Sequence, residues 1–147
     1  MKLLEIVPTT IAYLRAQPEF AEPAKLLDQT AGDYNKLFDA ALLSPGWCLA
    51  IVPTEGSGDG DKPRIDLENS LLVCVVVNKA VYTAKTAFEL MDLVLKTLHF
   101  ASLSTEAPGR HQFTHAKPAW VLGPLDTGIN TYFCNFRIKS LDTILAA

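Results

Sequence analysis

Along residues 129–141 the side chains alternate. Tyr132, Cys134, Phe136 and Ile138 take every second position, with Thr131, Asn135, Arg137 and Lys139 between them and Phe133 interrupting the polar set. A period of two with one apolar and one polar side predicts a strand that rests one face on a core and leaves the other largely wet. Residues 71–77, LLVCVVV, are apolar on both sides. They predict a central strand that needs cover on two faces, from helices or from a neighbouring subunit. Two shorter strands are predicted at 47–53 (WCLAIVP) and 119–125 (AWVLGPL). Asp126, Thr127 and Gly128 join the second of these to the last strand with good hairpin chemistry.

The helical period is strongest over 83–100. Thr86 and Glu89 have capping-box spacing, with Thr83 as an alternative cap. Ala84, Ala87, Phe88, Met91, Val94, Leu95 and Leu98 form one apolar stripe, and Leu90, Leu93, Thr97 and Phe100 a second line beside it. The polar remainder holds Lys85/Glu89 and Asp92/Lys96 at i, i+4, each worth only ~0.2–0.5 kcal/mol. More than half of this helix surface is apolar, and one sheet face would cover only the first stripe. Two further helices are predicted. One runs from about Thr9 or earlier to Arg15, opened by Pro8 in its first turn. The other spans 34–43, where Tyr34, Leu37, Phe38, Ala41 and Leu42 make a stripe behind Asp33 as a possible cap, and Ser44, Pro45 and Gly46 stop it. Residues 17–23, with two prolines, mark a break between them.

Two stretches read as loops. Residues 54–66 (TEGSGDGDKPRID) are dense in Gly and Asp and predict a mobile connection, long for a hairpin. Residues 102–117 are polar, with Pro108 and Gly109 inside. The order of two helices, two strands, one helix and two strands predicts an α+β fold: a four-stranded, mostly antiparallel sheet with helices packed on one face. A single domain spanning 1–147 is expected.

Composition narrows the function. With 147 residues, 49% hydrophobic and 20% charged, the chain can bury one substantial core. A net charge of −3 with scattered basic residues gives no footprint for gripping phosphates, so no sequence-specific nucleic acid partner is expected. Cys48, Cys74 and Cys134 lie in separate apolar runs and read as reduced core thiols, pointing to cytoplasmic folding. Pro8 and Glu5 interrupt the start before a signal sequence could form, and no run approaches the ~20 apolar residues of a membrane span. A soluble protein without a membrane partner is expected.

Tests for chemistry leave little. The loop around Ser57 fails the GxSxG elbow, lacks the Gly-Lys-Ser/Thr of a phosphate loop, and has only the opening Asp59-x-Asp61 of a calcium loop. His111 and His115 have the spacing of a helical zinc pair, but Pro108, Gly109 and Pro118 flank them and no glutamate follows His111. Glu89 and Asp92 share a face with lysines and read as solvated surface. Trp47 and Trp120 open strands and read as core or interface anchors. No catalytic set, cofactor motif or metal set emerges, and no enzyme is expected.

The layout then carries a resemblance. A helical start, a hairpin with a long polar loop, a valine-rich strand ending in Val77-Asn78, one long helix and a terminal hairpin closing on YFCNFRIKS with Tyr132 and Phe136 resemble bacteriophage tail terminator and related minor tail proteins. The resemblance implies a non-enzymatic homo-oligomer, a hexameric ring that caps the tail tube, contacts the head connector and is assembled in the bacterial cytoplasm into the virion tail. No functional residue transfers by motif. The interface candidates come from the residues themselves: Asp59, Asp61, Lys62 and Arg64 on the polar loop, and Leu90, Leu93 and Phe100 on the second helical line. The alternatives are another head-to-tail joining or neck protein, a small enzyme or metal-binding protein using His111 and His115, with Cys134 as a further candidate, or a cytoplasmic ligand-binding module.

Overall fold

The structure is a computed structural model that describes residues 1–21, 25–58, 60, 63–103 and 112–143. Its elements in chain order are α1 (Ile6–Arg15), β1 (Leu26–Asp28), α2 (Tyr34–Leu43), β2 (Trp47–Gly58), β3 (Arg64–Asn78), α3 (Ala87–Leu98), β4 (Thr114–Leu122) and β5 (Ile129–Thr143). Among the described residues they form an α+β fold with three α-helices packed against one five-stranded sheet of order β1-β2-β3-β5-β4. Only the β1–β2 pair is parallel; the other pairs are antiparallel.

The expected four strands are present, and β1 is the fifth. Its three residues are too few to show a period. What makes them extended is the ladder to Leu49, Ala50 and Ile51, a tertiary contact invisible in a local pattern. The polar stretch expected as a mobile loop is mostly strand: residues 54–58 end β2 and 64–66 begin β3. Gly56 and Gly58 suit this ladder because a Cβ there would meet the Asn69 side chain at 2.8 Å and Leu67 at 2.7 Å. Asn69, itself buried, donates Nδ2 to Ser140 Oγ at 2.8 Å and to the Ile138 carbonyl at 3.2 Å. Cross-strand pairing thus overrides a composition that reads as turn. Likewise β4 begins at Thr114, inside the stretch expected as loop.

Period two divides β3 cleanly. Leu71, Val73, Val75 and Val77 point to one face with Cys134, Phe136 and Ile138 of β5, where α1 and α3 cover them. Cys74 and Val76 point to the other face, where α2 covers them together with Cys48. The helices therefore pack on both faces, not one. The chain's own helices supply both covers for 71–77.

Local chemistry sets the helix ends. In α3, Thr86 Oγ1 accepts from Glu89 N at 3.1 Å and Glu89 returns the bond to Thr86 N at 3.2 Å, so Thr86 is the cap and Thr83 lies outside. Lys85 precedes the helix, while Asp92 and Lys96 make the expected pair at 2.8 Å, exposed and worth little. Asp33 occupies the N-cap position of α2 but its side chain makes no capping bond. Gly46, at φ +97°, ends that helix: its N–H donates to Ala41 O, and a Cβ there would strike Val81 at 2.7 Å.

Two substitutions of unlike cost test this layout. Phe136, fully buried between Phe113 and His115, should lose about 3–5 kcal/mol on change to Ala. Thr86→Ala should lose about 1 kcal/mol. Urea denaturation measures both, and the ordering should hold whatever the absolute stability.

Candidate interaction surface

The burial of α3 decides which apolar side chains remain outside. Ala87, Leu90, Met91, Val94 and Leu98 are buried, so the core face is rotated from the expected stripe toward the second line. Leu90 is 1% exposed and belongs to the core, and Leu93 is half-buried against it. Neither forms the uncovered line expected of them, because the face that α3 lays on the sheet runs through Ala87, Leu90, Met91, Val94 and Leu98, with Leu93 beside it. Phe100 does remain outside, 59% exposed and at φ +59°, a left-handed backbone uncommon for a bulky residue. Arg64 is exposed at the first position of β3, opposite Thr143. Asp59, Asp61, Lys62 and His111 lie outside the described residues.

The exposed apolar surface sits elsewhere. Phe88 on α3, assigned to the core from the sequence, is half out, and its ring meets Trp120 at 5.6 Å and Tyr132 at 5.5 Å in edge-on contacts. Trp120 and Tyr132 are 5.9 Å apart. Leu122 and Leu125 extend the patch, the latter 82% exposed. Trp120 pairs with Cys134, which pairs with Val73, so the patch lies on the sheet face that carries α1 and α3. No described strand lies beyond β4, which is an edge. Alternation of Trp120 with Leu122 was the available signal; burial of Phe88 was the wrong inference, because helical spacing marks an apolar side without saying where cover ends.

The other edge is hollow. β1 covers the outer side of β2 only from Leu49 to Ile51. Past that point a groove of about 520 Å³ opens between the N-terminal segment (Leu3, Leu4, Val7, Pro8) and the β2–β3 ladder (Pro53, Gly56, Leu67, Leu71). Asp28 and Glu55 also line it. Leu4 is 89% exposed. The N-terminal segment is tied down by Leu141 N–H donating to Met1 O at 2.8 Å and Leu3 N–H donating to Asp142 Oδ2 at 2.9 Å. On the opposite face, Glu68 and Arg137 approach to 3.8 Å beside Glu55, Ser57 and Ser70, a wet polar surface.

A column of rings runs inward from Phe100. His99 lies 4.2 Å from Phe100 and stacks on His115 at 4.3 Å with planes only 6° apart; His115 then meets Phe136 at 5.3 Å. His115 Nδ1 is buried without a hydrogen-bond partner. Burial, and secondarily the neighbouring His99, pushes its pKa below the ordinary 6.5. Cys48, Cys74 and Cys134 are all pushed up to about 12, first by burial, which leaves unreactive thiols. Among the described residues, no group of three or more His, Cys, Asp or Glu could hold a metal ion, and no helix is long and apolar enough to cross a membrane.

Comparison of the chain with family models and with curated proteins finds no match. Its surface must speak through geometry.

The His115 environment makes a pH prediction. A folded pKa below the unfolded value means the unfolded chain binds more protons as pH falls, so stability is full above about 6.5 and declines as pH drops through that value toward the lower folded pKa. Urea midpoints of the wild type and of His115→Gln at pH 7.5 and pH 5.5 should show a smaller acid loss in the variant.

Proposed function

We propose that this chain is a structural subunit of a phage or prophage tail, a tail-completion protein whose copies close a ring, six in number, on the end of the tail tube and face the head connector. One observation carries the proposal: the exposed rings of Phe88 on α3 and Trp120 on the edge strand β4, packed on half-buried Tyr132, stand out with Leu122 and Leu125. Aromatic side chains left half out of a well-filled core mark contact surfaces. The layout of elements supports the tail reading in part, since a β2–β3 hairpin and a terminal β4–β5 hairpin occur in the sheet, although most of the long polar loop of the resemblance is strand. A modest net charge of −3 permits self-association.

A second reading, metal binding at His115 with His111, is favoured by the unpartnered Nδ1 of His115. Stoichiometric zinc in protein purified without an affinity tag, lost in His115→Ala, would support it. The tail reading predicts no such stoichiometry.

The direct test is co-expression with the tail-tube protein of the same genome, followed by sizing with light scattering. A ring of about six copies, free or on the tube end, is the expected result. A monomer that neither associates at high concentration nor sediments with tubes contradicts the proposal.

A further inference from the structure

The patch and the groove lie at opposite edges of one sheet, on the same face. Trp120 shares the face of Val73 through Cys134, and Leu67, Asn69 and Leu71 share it by the period of β3. One edge therefore carries apolar knobs and the other an apolar hollow. Strand directions agree as well. β4 opposes β5, β5 opposes β3 and β3 opposes β2, so a neighbouring copy that continues the sheet lays its β4 antiparallel beside β2 with the same face up.

We propose that the groove between the N-terminal segment and the outer edge of β2 is the socket for the β4 edge of the next copy of this chain, with Trp120 and Leu122 seated against Leu4, Pro8 and Pro53. Charge favours this pairing. The charged side chain of β4 is Lys117, and the groove on this face is bordered by Asp28, while Glu55 of β2 turns to the other face with Ser70. A two-fold contact of β4 on β4 would instead bring Lys117 toward its own copy. Area also fits. An aromatic side chain carries roughly 150–250 Å², so two half-exposed rings with Leu122 and Leu125 offer on the order of 300–400 Å² of apolar surface. That is enough for the apolar centre of an interface needing about 800 Å² from each partner. Pro53 and Pro118 have no N–H to give, so side chains rather than an unbroken ladder carry the contact.

Knob and socket are different surfaces, which makes the contact heterologous. Each copy uses both, so assembly closes into a ring or continues as a filament, and cannot stop at a two-fold dimer. The inference rests on the self-assembly in the proposed function and specifies its surfaces.

The experiment uses two variants at exposed positions, Leu4→Glu in the socket and Leu122→Glu on the knob, each checked for wild-type circular dichroism and thermal melting. Sizing by light scattering should show each alone as a monomer, with association weakened at least tenfold. Mixed together they should form a one-to-one dimer and stop, because the Leu4→Glu copy retains a good knob and the Leu122→Glu copy a good socket. If the wild type assembles and Leu4→Glu assembles equally well, or the mixture stays monomeric, the socket is wrong while self-assembly stands. If the wild type itself never associates, alone or on tubes, the proposed function falls and this contact with it.

Discussion

The structure depends on one unbroken ladder, the antiparallel register of β3 with β5 from Arg64↔Thr143 to Asn78↔Ile129. In a sheet buried on both faces along part of its length, a slip of β5 by one residue against β3 would send Cys134, Phe136 and Ile138 to the side of α2 and bring Asn135 and Arg137 under α1 and α3. The apolar sequence of 71–77 tolerates either face, so the alternation of β5 is what fixes the choice. Once that register stands, β2 adds on one side and β4 on the other, and every later feature inherits its face from it.

That inheritance explains where the apolar surplus ends up. The central strand would need outside cover if its helices sat on one face, but α2 reaches the far side and buries Val76 and Cys48. Likewise Leu90 lies in the face that α3 turns to the sheet, and Leu93 is half-buried against the same core. Two parts of what the chain leaves exposed lie on the rims: the rings around Trp120 where β4 ends the sheet, and the leucines beside β2 where β1 stops short; Leu37 and Leu43 of α2, Ile65, Val81 and Phe100 are exposed elsewhere. A core strand's excess would speak only of packing. An excess at the two edges speaks of neighbours.

Much of this was legible in the residues. The helix at 34–43 begins and ends where its stripe and Gly46 place it, the capping box of Thr86 and Glu89 forms, and the alternation of Tyr132 to Ile138 does name the core face of β5. The misreadings have a shared cause. Residues 54–58, Thr-Glu-Gly-Ser-Gly at the head of a Gly- and Asp-rich stretch, read locally as loop, yet long-range pairing to 67–70 makes them strand; three-residue β1 owes its form to a partner twenty-three positions away, Leu26 to Leu49. The stripe of α3 points Phe88 inward, but a helical stripe has no intrinsic edge, and the ring lies half outside. Local patterns report which side of an element is apolar, whereas pairing and cover come from elsewhere in the chain. The candidate surface was accordingly half visible: Trp120 read as an anchor, while the groove, assembled from the N-terminal segment and two strands, has no sequence signature.

The account's central claim is that the exposed rims are covered by other copies of the chain, and hydrogen exchange followed by mass spectrometry at low and high protein concentration tests it most directly. Peptides covering 53–58 and 114–122 should exchange markedly more slowly in the concentrated sample, with 71–77 unchanged. Identical exchange of all three at both concentrations, with and without tail tubes, would contradict it.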